Sequence, residues 1–256
     1  MSFFRIEVSS VSRSSGRSAV AAAAYRAGER LTDLRTGTVS DYRRRSKGVV
    51  SSEVFGTHET RGELWNRAEA AERRKDSQTA REILISLPHG LQAGLRRSLC
   101  RDFAQWLVQR YGVAVDMAIH RPGWRGSNRN HHAHLLLTTR RVLDTGELGE
   151  KVRVLDAKAT RGAEVEAIRS EWARKVNAYL ELAGISSRVD HRSRRRQGLD
   201  AIRTPLAVTI PPASTAARRE EAEAAVSVQT RACGKEVPPP VPQSRRRSRR
   251  RQIPGA

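Results

Sequence analysis

An α+β sandwich is the fold class this sequence predicts, on three observations. Strand-like and helix-like stretches follow one another without the strict alternation of a parallel α/β protein. Two strand-like runs, residues 114–120 and the stretch beginning at His132, flank a turn-rich loop over 121–130, which folds them into an antiparallel pair. The 256 residues suffice for one domain of about 200 residues with an ordinary core, plus a tail.

Taken in order, residues 3–9 alternate as a first strand, with Phe3, Arg5 and Glu7 set against Phe4, Ile6 and Val8. Residues 10–17 form a Ser/Arg/Gly loop, after which Ser18 caps an alanine-rich helix from Ala19 to about Arg30. Residues 31–60 read as irregular and basic, with Tyr42-Arg-Arg-Arg45 inside them. A helix over 63–75 carries a thin apolar stripe of Leu64, Trp65, Ala68 and Ala71. Residues 80–87 make a strand with Ile83, Ile85 and Leu87 on one face, and Pro88 ends it. Leu91, Leu95, Leu99, Phe103, Trp106 and Leu107 give 91–111 a helical period. Beyond the two histidine-bearing strands and a polar stretch, 162–183 form a last helix with Val165, Ile168, Trp172, Val176 and Leu180 on its core side, closed by Gly184.

From about Pro205 the character changes. Pro211-Pro212, Pro238-Pro239-Pro240 and Ser244-Arg-Arg-Arg-Ser-Arg-Arg-Arg251 mark a Pro/Arg-rich tail expected to be disordered, with residues 218–228 at most transiently helical. The expected division is a domain over 1–204 and a tail over 205–256.

A formal net charge of +21 is extreme. It opposes self-association, attracts polyanions and makes binding steeply salt-dependent, so nucleic acid is the first partner to consider. With no long apolar run and no strong amphipathic basic helix, an anionic membrane surface ranks behind it. Residues 1–9 are too short and too charged for a signal peptide, and Cys100 and Cys233 have no ligand spacing, so a reduced cytoplasm is the expected compartment.

The chemistry is concentrated in Arg129-Asn-His-His-Ala-His-Leu-Leu-Leu-Thr-Thr-Arg140. On a strand, His132 and His134 share one face and His131 points to the other. His120 ends the facing strand, so three imidazoles converge, and three neutral ligands leave coordination positions open as a catalytic metal site requires. All-nitrogen ligation suits manganese, zinc, nickel or copper, and with phosphate oxygens added it tolerates magnesium.

A metal on a basic surface points to phosphodiester chemistry, through a metal-activated water or through a side-chain nucleophile. Tyr25, set among alanines in Ser18-Ala-Val-Ala-Ala-Ala-Ala-Tyr25-Arg-Ala-Gly28, offers the second route, against the plainer reading of a half-buried core tyrosine. Arg13, Arg17, Arg26 and Arg30 are close enough in sequence to hold phosphates, as is Arg129 at the metal strand. Trp124, in the loop between the metal strands, either stacks on a base or packs its own loop.

Four ordered motifs carry a family resemblance. Residues 16–31 around Tyr25, the block Leu64-Trp-Asn-Arg-Ala-Glu with Ala80-Arg-Glu-Ile83, the histidine run, and Val189-Asp-His-Arg-Ser193 with Gln197-Gly198 resemble the MobA/MobL relaxases, DNA nickases of conjugative mobilisation. The resemblance implies a central antiparallel sheet flanked by helices, a relaxase-like histidine-hydrophobe-histidine fold with the histidine pair on a middle strand. It puts Tyr25 in the place of the nucleophile and His120, His132 and His134 in that of the metal ligands, with manganese or magnesium foremost and zinc as the alternative. Glu82 matches an acidic residue near the metal, either orienting a histidine or accepting the tyrosine proton; by periodicity alone it reads as solvent-facing. The implied activity is a metal-dependent, strand-specific nick at an origin of transfer through a 5′-phosphotyrosine, on single-stranded or supercoiled DNA with other relaxosome proteins. The rivals are a related tyrosine replication initiator or transposase, and a DNA-binding accessory protein with an inactive domain of this kind.

Overall fold

The computed structural model describes residues 4–123, 127–192 and 196–197. The expected tail over 205–256, Trp124 and Gly198 lie outside the described residues.

In chain order the elements are β1 (Ile6–Ser12), α1 (Ala19–Ala27), β2 (Arg30–Asp33), β3 (Thr38–Asp41), β4 (Val49–Phe55), α2 (Arg61–Ala70) and β5 (Gln78–Ser86). They continue with α3 (Ala93–Tyr111), β6 (Val115–His120), β7 (His132–Thr138), β8 (Arg140–Val142), β9 (Leu148–Lys151) and α4 (Arg161–Leu182). Five strands make one sheet in the order β1-β5-β7-β6-β4, with every neighbouring pair antiparallel. Helices cover both faces, so the expected α+β architecture is what the chain adopts, and β7 with its histidine pair is the middle strand.

Strand alternation sorts the side chains into two cores. On the first face Ile83, Leu135 and Met117 stand in one cross-strand row. Leu99, Phe103 and Leu107 of α3 and Ile168, Trp172 and Val176 of α4 close over that face. On the second face Val11, Ala80 and Leu136 meet Ala19, Val20 and Ala23 of α1 and Leu64, Trp65 and Ala68 of α2. The small side chains of α1 let its backbone lie close to the sheet, which brings its polar residues within reach of strand side chains.

Several boundaries differ from the sequence reading. The first strand runs Ile6–Ser12, not 3–9, because β1 follows the register of β5 from Ile6↔Ile85 to Ser12↔Gln78. Residues 31–60 hold three strands, and β4 forms a sheet edge. A register shift between Val49 and Ser51 breaks its alternation, and its Glu53 pairs with Arg97 and Arg101, so no apolar period marks it. The polar stretch after β7 contains the β8–β9 hairpin. α1 stops at Ala27 because Gly28 takes the left-handed conformation (φ 66°) as its C-cap. A Cβ at Gly28 would lie 2.7 Å from the Cα of Ser46, so the glycine also admits the basic segment 43–48 against the end of α1. α2 ends at Ala70, not near Lys75, and the carbonyls of Glu72 and Arg74 accept from the Arg13 guanidinium.

Charged residues hold the second face together. Buried Glu69 accepts from the Ala19 backbone N–H at 2.7 Å, at the start of α1, and pairs with Arg13 at 2.9 Å. Asp116 of β6, also buried, accepts from Arg61 Nε (2.8 Å) and Nη2 (3.0 Å) and from Trp65 Nε1 (2.9 Å), locking α2 onto the sheet. Asp116→Ala leaves the buried Arg61 guanidinium without that counter-charge. The expected cost is about 3–5 kcal/mol of unfolding free energy. A urea midpoint within error of the unsubstituted protein would contradict this role.

Candidate metal centre

The triad sits where three cross-strand rows of the second face end. Glu82, Leu136 and Asp116 form one row, Leu84, His134 and Ala118 the next, and Ser86, His132 and His120 the last. His120 and His132 are therefore direct cross-strand partners. Opposite His134 stands Ala118, whose methyl leaves the space above it to the rings. Ring centroids are 4.9 Å apart for His120–His134, 5.3 Å for His120–His132 and 5.4 Å for His132–His134. One nitrogen from each ring lies within 4.8 Å of the other two, a spacing that could hold a metal ion.

The hydrogen bonds on the far side of each ring decide which nitrogen carries the lone pair. His134 Nδ1 lies 2.6 Å from Glu82 Oε1 and His132 Nδ1 lies 3.0 Å from the Asn130 carbonyl, so both rings present Nε2. His120 Nε2 donates to the Arg26 carbonyl at 2.7 Å, which leaves its Nδ1 as the acceptor nitrogen. Three imidazoles, each with its outer nitrogen held by a hydrogen bond, fit a divalent ion. Burial, and then the neighbouring His134, pushes His120 down to about 3 and His132 down to about 4, from an ordinary 6.5.

That shift has a measurable consequence in the metal-free protein. As pH falls from about 6.5 to 4, the unfolded chain takes up protons on these two residues and the folded one does not. Stability that is present above 6.5 is therefore expected to be lost as pH falls through this window. Urea midpoints should drop between pH 7 and pH 5, and by less in His132→Ala. A flat profile would show that the rings are well solvated.

Glu82 is buried beneath the triad, not solvent-facing as its period suggested. Burial alone would raise its carboxyl, yet the Arg26 guanidinium and the His134 ring N–H hold it well below the usual carboxylate range. Arg26 meets it through Nε at 2.8 Å and Nη2 at 2.8 Å and also donates to the Ala22 carbonyl at 2.7 Å.

Tyr25 is the residue before Arg26, whose carbonyl receives His120, so the last turn of α1 lies against the triad. Its side chain is half-buried, with the edge of Tyr42 at 5.2 Å between ring centroids. Arg45 spans the ring at 5.3 Å and donates to the hydroxyl at 3.3 Å. Arg45 and Tyr42 were visible in sequence only as a basic run. No period links them to Tyr25, and the close approach at Gly28 is what brings them there.

The arginines divide. Arg26 is buried and paired with Glu82, and Arg13, partly buried, is paired with Glu69. Arg17 is partly exposed and reaches to 4.0 Å from Glu82 Oε2, at the rim of the site. Arg30 is more than half exposed, 4.0 Å from Asp41, and Arg129 is exposed beside the metal strand.

Among curated proteins, the chain is 39% identical over 229 residues to Mobilization protein MobL of Acidithiobacillus ferridurans, covering 78% of this chain and 60% of that protein. It is 31% identical over 236 residues to Conjugal transfer protein TraA of Rhizobium radiobacter, covering 78% of this chain and 20% of that one. The chain thus spans only part of the length of these relatives. A protein solved in work on the "Molecular Basis of Vancomycin Resistance Transfer in Staphylococcus aureus" superposes with a TM-score of 0.65 at 30% identity, over 75% of this chain and 99% of that one. Residues 17–207, the span that bears Tyr25, Glu82 and the three histidines, match a single family, and the chain belongs to the MobA/MobL family.

Proposed function

We propose that this chain is a metal-dependent DNA nickase of conjugative mobilisation, cutting one strand at an origin of transfer. The observation that carries the reading is the juxtaposition of three converging imidazoles with the helix turn that bears Tyr25. Family membership and the relatives named for mobilisation and conjugal transfer support it.

His120, His132 and His134 would hold a divalent ion, manganese or magnesium first and zinc as the alternative. Such an ion supplies charge stabilisation to the non-bridging oxygens of the scissile phosphate. Glu82 holds the Nδ1 side of His134 and so turns its Nε2 toward the ion site, and the Arg26 guanidinium holds the carboxylate in place. The Tyr25 oxygen attacks phosphorus in line. The tyrosyl O–P bond forms, the phenol proton passes to solvent, the P–O3′ bond breaks and the departing 3′ oxygen takes up a proton. A 5′-phosphotyrosine and a free 3′-hydroxyl result, and the retained bond allows resealing. Single-stranded or supercoiled origin DNA is the substrate, with Arg17, Arg30 and Arg129 on phosphates and Trp124 against a base. Other relaxosome proteins are the expected partners. The proposed nickase domain occupies 1–204, with the Pro/Arg-rich tail over 205–256 outside it. No helix among the described residues is long and apolar enough to cross a membrane, and the proposed site of action is the cytoplasm.

The test incubates the protein with single-stranded and supercoiled DNA from the origin region beside its gene, with manganese or magnesium, and runs denaturing gels with and without protease. A metal-dependent, protease-sensitive DNA adduct whose modified peptide contains Tyr25 is the expected result. Cleavage without an adduct would replace tyrosine by water as nucleophile. Binding without cleavage under every metal would make this an inactive DNA-binding relative.

A further inference from the structure

A tyrosine nucleophile has to lose its proton, and an ordinary phenol, with a pKa of about 10, is almost wholly protonated at neutral pH. Glu82 is badly placed to take that proton. Arg26 engages both of its oxygens, through Nε at 2.8 Å and Nη2 at 2.8 Å, and His134 Nδ1 lies 2.6 Å from Oε1. Despite burial its carboxyl stays well below the usual carboxylate range, and an anion held so firmly is a weak base. At the phenol oxygen itself stands a cation instead. Arg45 Nη1 donates to the Tyr25 hydroxyl at 3.3 Å, with the guanidinium 5.3 Å from the ring centroid. Arginine has no lone pair with which to accept the proton, so its effect at that oxygen is to favour the anion over the phenol.

The guanidinium is carried by a strap tied to the site at both ends. Arg43–Gly48 form a 3₁₀ helix between β3 and β4. At its start the Tyr42 N–H donates to the Glu29 carbonyl at 3.0 Å, just past α1, and the Arg45 N–H donates to the Tyr42 carbonyl at 2.8 Å. In its middle Ser46 lies close against Gly28. At its end the Gly48 carbonyl accepts from the Arg121 N–H at 2.9 Å, and Val49 stands opposite His120 in the sheet. Arg45 is thus fixed to Tyr25 through the end of α1 and to the histidines through β6. We infer that Arg45 is a catalytic residue that stabilises the Tyr25 oxygen as phenolate, so that the phenol proton leaves to solvent without a carboxylate base. On nicking, the phenolate oxygen bonds to phosphorus as P–O3′ breaks. On resealing, the 3′-hydroxyl gives up its proton and its oxygen bonds to phosphorus. The tyrosyl O–P bond then breaks, and its electron pair returns to the phenolate beneath Arg45. The inference rests on the nickase reading for the reaction served, but the state of the phenol can be read without DNA.

Tetranitromethane nitrates phenolates, and peptide mass spectrometry reads that modification at Tyr25 in the full chain, in Arg45→Lys and in Arg45→Met. Tyr111, whose phenol burial pushes up to about 12, is the unreactive reference. Nitration of Tyr25 should slow about tenfold in Arg45→Met and less in Arg45→Lys, even though methionine covers less of the ring. Single-turnover nicking of saturating origin DNA with manganese is then compared. Arg45→Met should lose about 10–100-fold, short of the roughly 10²–10³-fold for a donor in a water-free oxyanion site because this hydrogen bond is exposed. Difluorotyrosine at position 25, whose fluorines acidify the phenol without help from arginine, should erase most of the difference between Arg45 and Arg45→Met. A purely structural role would leave that difference undiminished, and this result would overturn the inference. Unchanged nitration of Tyr25 in Arg45→Met, or nicking by that variant at the full rate, would overturn it equally. A protein that never forms the tyrosyl adduct would defeat the nickase reading, while nitration would still decide whether Arg45 favours the phenolate.

Discussion

Tyr25→Phe is expected to abolish the covalent DNA adduct, lowering nicking by at least the order of 10³-fold, while leaving folding, metal binding and DNA binding intact. The ring of Phe keeps the edge contact with Tyr42 at 5.2 Å and lies under Arg45 as before, while the hydroxyl and its 3.3 Å hydrogen bond from Arg45 are removed. That bond is exposed and its loss costs little. The measurement is single-turnover nicking on a denaturing gel, beside thermal melts and metal titration of the same preparation. Residual cleavage within tenfold of the unsubstituted rate would assign the nucleophile elsewhere. A collapsed melt would instead make Tyr25 a core residue, the plainer of its two sequence readings.

Glu82→Gln should produce two separable losses. An amide still accepts one hydrogen bond but carries no charge, so the His134 tautomer is held less firmly and metal affinity should fall about 10–100-fold. The buried Arg26 guanidinium also loses its counter-charge, which is expected to cost about 3–5 kcal/mol of stability. Adding Arg26→Met removes that unpaired charge and should restore part of the stability without restoring metal affinity. Isothermal titration with manganese and urea unfolding of the three proteins read the two effects independently. Unchanged metal affinity in Glu82→Gln would mean that the carboxylate serves the fold and not the histidines.

The parts legible in the sequence share one property: their signal is local and periodic. The alternation His132-Ala133-His134 with His120 ending a neighbouring run placed three imidazoles on one face, and the register His120↔His132 with Ala118↔His134 is the arrangement that alternation required. The long apolar periods of α3 and α4 and the strand around Ile83 and Ile85 were read for the same reason. Edge strand β4 escaped because half of its surface meets solvent and a bulge interrupts its period. Glu82 read as solvent-facing, since a carboxylate shows in sequence no sign of the arginine that will neutralise it.

By itself, then, the sequence determined the two-sided strand pattern, the convergence of the histidines, the basic character that selects a polyanion, and the motifs of the family. Only the tertiary structure decided which arginines remain at the surface. Arg13 and Arg26 are withdrawn onto Glu69 and Glu82, while Arg17 stays at the rim and Arg45 crosses Tyr25. The physical reason is desolvation. A guanidinium leaves water only where a carboxylate from a distant segment meets it, and those partners, 56 residues away for both arginines, are set by the packing of α1 and α2 on the sheet and not by any local pattern.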